Sequence, residues 1–138
     1  MPIYMKYEGI EGPVTGKYKG WIELGSSQLG NHRSGTASVS EVVVTKSQDS
    51  SSSRLFEESL RGTGKKVSID FVKGNEAPYM GLELEDTVIS SYSISGSSGS
   101  DKPTESLSLN YAKITYSSKP KASSKEAKDP SWDWATAP

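Results

Sequence analysis

Between Met80 and Tyr116 two long strand-like runs follow one another across a small-residue turn, and they limit what the chain can fold into. In the first run Met80, Leu82, Leu84, Val88, Tyr92 and Ile94 fall on alternate positions, with Glu83, Glu85, Thr87, Ser91 and Ser93 between them. A period of two places one set of side chains on one side of a strand, so this run reads as a strand with one buried face. The second run, ESLSLNYAKITY, carries Leu107, Leu109 and Tyr111 on one face and Ala112, Ile114 and Tyr116 on the other. The phase slip near Asn110 to Ala112 predicts a bulge or sharp bend, which lets one strand serve two sheets or turn a barrel corner. Gly96 to Pro103 (GSSGSDKP) supplies the Gly, Ser, Asp and Pro of a hairpin loop. At roughly 3.3 Å per residue each run reaches about 40 Å, well beyond the usual strand of about 5 to 6 residues.

A chain of 138 residues reads as a single domain, with a core over about 1–117, a polar linker at 118–130 and a Trp-containing element at 131–138. It contains no cysteine, which excludes a disulfide framework, a thiolate metal site and a thiol nucleophile. Sixteen basic and seventeen acidic residues leave a formal charge of -1 without a basic block, which argues against nucleic acid as a partner. MPIYMKYEGI has neither the charged and apolar regions of a signal peptide nor a cleavage site, and no stretch approaches about 18 apolar residues. Folding in the cytoplasm without membrane insertion is therefore expected, with any export by a route that takes the folded protein.

Ile3, Met5 and Tyr7 share one face of a short first strand, which Pro2 places near an edge. Trp21, Ile22 and Leu24 put apolar groups on both faces of Gly20 to Leu24, predicting a strand covered on both sides. From Gly25 to Ser38 the composition falls to Gly, Ser, Asn, Thr and Ala around Leu29, and a mobile loop of about a dozen residues is expected. VSEVVVT at Val39 to Thr45 is the most β-prone segment, and its three consecutive valines again predict burial on both faces. From about Ser50 to Arg61 the period becomes helical, with Ser52, Leu55, Phe56, Ser59 and Leu60 on one stripe. Asp49 or a following serine is the expected N-cap and Gly62 the left-handed C-cap; Phe56 is expected in the core. Val67, Ile69 and Phe71 alternate with Lys66, Ser68 and Asp70 in a half-buried strand. Trp132 and Trp134, beyond the polar stretch, predict a docked terminus. The sum is five to eight strands, one helix and a sandwich or barrel core.

No residue pattern supports catalysis. His32 stands alone in GNHRSG without an adjacent Asp, Glu or Cys, which is a surface histidine rather than a catalytic one. Glu83, Glu85 and Asp86 suggest paired carboxylates or a calcium site, but alternation divides them between two faces, and a solvated strand face is the simpler reading. GTGKK at Gly62 to Lys66 lacks the glycine spacing and the hydroxyl of a phosphate loop and reads as a helix stop. GxSxG, HExxH and GxGxxG are absent, and no enzyme, metal or cofactor is expected. What is unusual is architectural: strands this long with open edges invite pairing with another copy, and an interface joining one edge to a different edge closes into a ring where the rotation permits.

VTGKYKGWIELGSSQLG, VSEVVVTK, LRGTGKKVSIDF and LELEDTVISSYSISGSSGSDKPTESLSLNYAKITY occur here in the order and spacing of the Hcp family, the tube proteins of bacterial type VI secretion. The resemblance covers nearly the whole chain, and TESLSLNYAKITY with its preceding Gly-Ser turn is its most specific part. SWDWAT resembles the Trp-Asp element near the C-terminus of many members, although this chain stops soon after Trp134. The resemblance implies a mainly β protein, a small β-barrel of antiparallel strands with one flanking α-helix, related to phage tail tubes. It also implies a homohexameric ring, stacking of rings into a hollow tube, secretion without a signal peptide, and sheath, spike and effector proteins as partners. The family's Gly-rich loop reaches towards the next ring; here it corresponds to Leu29, Gly30, Asn31, His32, Arg33, Ser34 and Gly35. A phage or extracellular contractile-system tube subunit would share the fold, and a monomeric β-sandwich binding module is a further alternative.

Overall fold

The computed structural model describes residues 2–34, 37–73, 78–99, 101–117 and 131–133. Among these, nine strands, one α-helix and a 3-10 turn at Gly16–Tyr18 follow one another as β1 (Ile3–Tyr7), β2 (Ile22–Leu24), β3 (Ser26–Ser34), β4 (Ala37–Ser47), α1 (Ser52–Arg61), β5 (Lys65–Val72), β6 (Pro78–Ser95), β7 (Thr104–Asn110), β8 (Lys113–Ser117) and β9 (Ser131–Asp133). All pairings are antiparallel, in the order β2-β1-β5-β6-β7-β4-β3, with β8 beside β6 and β9 beside β8. Only Gly25 separates the last residue of β2 from the first of β3, and its N–H donates to the Thr45 carbonyl at 2.7 Å. The two ends of the path are thus one run of chain, and the sheet closes on itself as a small barrel. Met5, Ile22, Val42, Val44, Leu55, Val67, Ile69, Leu84, Leu107 and Leu109 fill it, each with no accessible surface.

The 18-residue strand β6 is the spine, and its two halves belong to different walls. Its first half lies between β5 and β8, its second half beside β7. β7 and β8 together form the returning arm, interrupted at Tyr111 and Ala112 where the phase slip predicts it, and Val88↔Asn110 and Glu85↔Lys113 keep one offset across the break. The Gly96 to Pro103 connection joins β6 to β7 as expected. β6 also changes phase, which its sequence hides. Leu82 and Leu84 face the core, then Thr87 and Ile89 do, because Asp86 adopts a left-handed backbone at φ 56° and turns the strand by one residue. Gly64 packs against this corner so closely that a Cβ would run into the Asp86 carboxylate. A bulge at Ser90, between Ile89↔Leu109 and Ser91↔Ser108, resets the phase, and Tyr92 again lies over Leu107.

Several expectations are corrected. The stretch from Gly25 to Ser38 is not an irregular loop: Ser26–Ser34 and Ala37–Ser47 pair residue by residue from Ser26↔Thr45 to Ser34↔Ala37. Low apolar content concealed a hairpin whose far part runs past the end of β7, the strand on the other side of β4. β1 lies between β2 and β5 rather than at an edge, with Pro2 contributing only its carbonyl to the Val72 N–H, at 2.9 Å. β2 buries Ile22 and Leu24 but exposes Glu23, and in β4 Val42 and Val44 are buried while Val43 is half-buried, so neither strand is fully covered on both faces. Asp70, expected to face solvent, is buried and accepts the Tyr18 hydroxyl at 2.8 Å beneath a stack of Tyr4 on Tyr18.

The helix stripe is narrower than its periodicity implies. Leu55 is fully buried, whereas Phe56 is 50% and Leu60 73% exposed. α1 rests mainly on β6 and is tied to β4 and β7 at its first turn, and of its stripe only Ser52 and Leu55 are buried. Gly62 caps the helix at φ 71°, as its position predicts. The N-terminal cap residue is Ser51, held by Asp49, whose carboxylate accepts the Ser51 N–H at 2.8 Å and the Ser51 hydroxyl at 2.6 Å. At the other end of the chain, Ile114↔Trp132 places the backbone of β9 along β8; the expected linker at 118–130 and Trp134 lie outside the described residues.

Candidate assembly interface

The second half of β6, with β7, β4 and β3, forms a four-stranded wall whose two faces differ in chemistry. Val42, Val44, Leu107 and Leu109 point into the barrel. Across the register on the other face run the rows Gln28–Val43–Ser108–Ser91, Ser26–Thr45–Ser106–Ser93 and Ser47–Thr104–Ser95. These side chains are exposed or half-buried, uncharged and mostly hydroxyls, with Glu41, two residues before Val43 on the same side of β4, as the acidic group at their border. Ser26 and Thr45 share a hydrogen bond at 2.7 Å among them.

Among the described residues both edges of this wall are open: β5 stops at Lys65 opposite Thr87, so Val88 to Ser95 pairs only with β7, and at the far side β3 pairs only with β4. The two unpaired runs span eight and nine residues. Unpaired edges of matching length at opposite sides of one sheet are templates for a strand from another molecule.

β7 accompanies β4 only from Val42↔Leu109 to Ser47↔Thr104. Beyond it, Gly30↔Glu41 to Ser34↔Ala37 continue as a two-stranded arm projecting about 15 Å past the barrel. A two-stranded ribbon is marginally stable in water without a third strand or a packing surface. Of the residues assigned to ring stacking, Leu29 sits where the arm leaves the barrel and is 44% exposed; Gly30, Asn31, His32, Arg33 and Ser34 form the outgoing strand; Gly35 lies outside the described residues.

The helix is fastened to the wall by a buried polar cluster. Lys46 and Glu105 face each other in the β4–β7 register, 1% and 0% exposed. The Lys46 ammonium donates to the Ser47 carbonyl at 3.0 Å, Asp49 Oδ1 at 3.1 Å, Ser52 Oγ at 3.1 Å and Glu105 Oε2 at 3.4 Å. Ser52 Oγ donates to Glu105 Oε2, and the Tyr92 hydroxyl donates to Glu105 Oε1 at 2.8 Å. Burial, reinforced by the Glu105 hydrogen bond, raises the Tyr92 hydroxyl well above its ordinary pKa. One cluster thereby joins β4, β6, β7 and the first turn of α1. On top of it Phe56 meets Tyr92 edge to face with ring centroids 5.6 Å apart, and Phe56, Leu60 and Ile94, the last 54% exposed, leave an apolar strip beside the open edge of β6.

Sequence reasoning missed both the cluster and the strip. Fifty-nine positions separate Lys46 from Glu105, and only the register brings them together. The other candidates do not converge: Glu83, Glu85 and Asp86 are exposed, and no group of metal-ligating side chains occurs among the described residues. No described helix is long and apolar enough to cross a membrane.

Residues 4–117 match the family model described as "Type VI secretion system effector, Hcp". The chain belongs to the Hcp family. A search of curated proteins finds no match. Among solved Hcp structures, Hcp1 from Salmonella typhimurium superposes with a TM-score of 0.84 at 19% identity, covering 97% of this chain and 95% of that one. A mutant form of Hcp1 from E. coli EAEC 042 gives 0.80 at 22% identity over 97% and 99%. The secreted protein Hcp3 from Pseudomonas aeruginosa gives 0.76 at 20% identity over 96% and 97%. At such identities the superpositions establish a common Hcp fold, the mainly β barrel with one flanking helix. Type VI secretion comes from the family match, and Hcp is a family of secreted structural proteins rather than of enzymes.

Proposed function

We propose that this chain is the tube subunit of a type VI secretion apparatus, acting by self-assembly rather than catalysis. Copies join side by side, the β3 edge of one along the Val88 to Ser95 edge of the next. The observation that carries this reading is the four-stranded wall with an open edge on each side. Its two edges are different, so the joint is heterologous and propagates in one direction around an axis until it closes. The resemblance to Hcp implies six copies, a homohexamer. The hydroxyl face becomes the lumen wall, past which effector proteins move without strong ionic attachment. The arm from Gly30 to Ala37 reaches the next ring, where a surface of another ring completes the ribbon it cannot complete alone. Rings stack into a tube that is folded in the cytoplasm and secreted, with sheath and spike proteins as the remaining partners.

Native mass spectrometry of the purified chain at micromolar concentration tests the reading, with a closed hexamer as the expected result. A clean monomer under those conditions would overturn both ring and tube.

A further inference from the structure

Among the described residues, Phe56, Leu60 and Ile94 form an exposed apolar strip beside the open edge of β6. We infer that a second copy of this chain covers it, and that the covering side chain is Leu29. The inference rests on the ring reading and identifies one of its anchoring contacts.

Exposed apolar groups scattered singly need no account, but Phe56 packs on Tyr92, Ile94 follows Tyr92 by two residues on the same side of β6, and Leu60 lies one helical turn from Phe56 on the same side of α1, so the three border one strand edge that is unpaired among the described residues. Phe56 packs on Tyr92, whose register partner Leu107 is fully buried, while Ile94 lies opposite the fully buried Glu105. The strip therefore lies on the core-facing side of the wall, at its β6 edge. On the opposite edge, Leu29 is paired with Val42, which is fully buried, and so belongs to the same core-facing side. It is nonetheless 44% exposed, because the arm begins there and the barrel ends.

Rotation about a ring axis does not interchange the inner and outer sides of the wall. Joining β3 of one copy to β6 of the next thus places Leu29 of the incoming edge on the side that carries Phe56, Leu60 and Ile94. An exposed apolar residue at one edge meets an exposed apolar strip at the other, and both are removed from water by a single joint. The helix overhangs this joint as a clamp. Its orientation is set by the Lys46–Glu105 cluster at its first turn, so the clamp is held rigid before the neighbour arrives, which lowers the ordering cost of association.

The chain has no cysteine, which makes crosslinking clean. Leu29→Cys is prepared as one variant, Phe56→Cys and Leu60→Cys as two others, and each is denatured, mixed in equal amounts with a partner variant, refolded and oxidised. The expected result is a covalent dimer from Leu29→Cys with Phe56→Cys or Leu60→Cys, and none from any variant alone, as a heterologous joint requires. As an independent measurement, Phe56→Ser/Leu60→Ser should raise the subunit concentration at which half the rings dissociate at least tenfold, with the circular dichroism of the dissociated subunit unchanged. Wild-type rings of correct mass with neither crosslink nor weakening would overturn the contact and leave the ring reading standing. A crosslink formed by Phe56→Cys or Leu60→Cys alone would also overturn it, since that signals a two-fold contact. Wild-type chain that stays monomeric overturns the ring reading itself, and the contact with it.

Discussion

Replacing Lys46 by methionine removes the cation at the centre of the buried cluster while retaining most of its volume. Glu105 would keep two donors, the Ser52 and Tyr92 hydroxyls, but its charge would be buried without a compensating one. Loss of one partner from a buried ion pair costs about 3 to 5 kcal/mol, because the remaining charge is neither solvated nor paired. For a domain of this size, about 4 kcal/mol corresponds to a fall in melting temperature of roughly 10 to 20 °C. The loss should be local in origin: Lys46 also holds Asp49 and Ser52, so the first turn of α1 loosens first. Urea titration at fixed subunit concentration, with hydrogen exchange at Ser52 to Leu55 as a local readout, measures both effects. Lys46→Met/Glu105→Leu should be less destabilised than Lys46→Met alone, since no buried charge is left over; the cycle isolates the pair. A loss below about 1 kcal/mol for Lys46→Met, the scale of a surface substitution, would refute the reasoning.

In the dissociated subunit, Leu55→Ala should cost about 2 to 5 kcal/mol by opening a core cavity, whereas Phe56→Ala, half-exposed already, should cost less, about 1 to 2 kcal/mol from its covered half and its edge contact with Tyr92; equal losses in urea titration would contradict the placement of the helix. Burial, with a further contribution from Glu58, raises the Tyr7 hydroxyl above its ordinary 10.0, and Tyr92 is raised too. The folded state therefore holds these protons more tightly, stability from both is complete below about pH 10 and falls as pH rises above it, and Tyr7→Phe should flatten that fall in pH-dependent unfolding; a slope unaffected by Tyr7→Phe would exclude its part. Replacing His32 to Val39 by an Asn-Gly turn should leave the number of subunits per ring and the melting temperature unchanged while abolishing tubes in electron micrographs; normal tubes from the shortened chain would remove the stacking role of the arm.

The sequence by itself determined the elements whose signals are local. Alternation identified Ile3–Met5–Tyr7 and Val67–Ile69 as core-facing, because a strand's period of two holds wherever the strand lies. Gly62 stops a helix for a stereochemical reason internal to its own backbone, and the Gly96 to Pro103 turn and the slip after Asn110 are equally local. The ordered segments that resemble Hcp carried the rest of the fold and the expectation of assembly. Periodicity says which residues share a side but not what stands opposite them. Phe56 follows Leu55 on the stripe, yet only Leu55 is fully buried where α1 meets β6, while Phe56 lies half-exposed against Tyr92. The hairpin at Ser26 to Ser47 has too little apolar content to announce its outer part, which continues beyond Val42 as two paired strands past the end of β7. Asp86 gave no sign that it would reverse the phase of β6, since a left-handed aspartate there is accommodated by the close approach of Gly64, 22 positions earlier in the chain. The Lys46–Glu105 pair, the two open edges and the apolar strip beside one of them depend on which strands lie next to each other. That is set by the closure of the barrel through Gly25, a property of the assembled sheet and of no single segment.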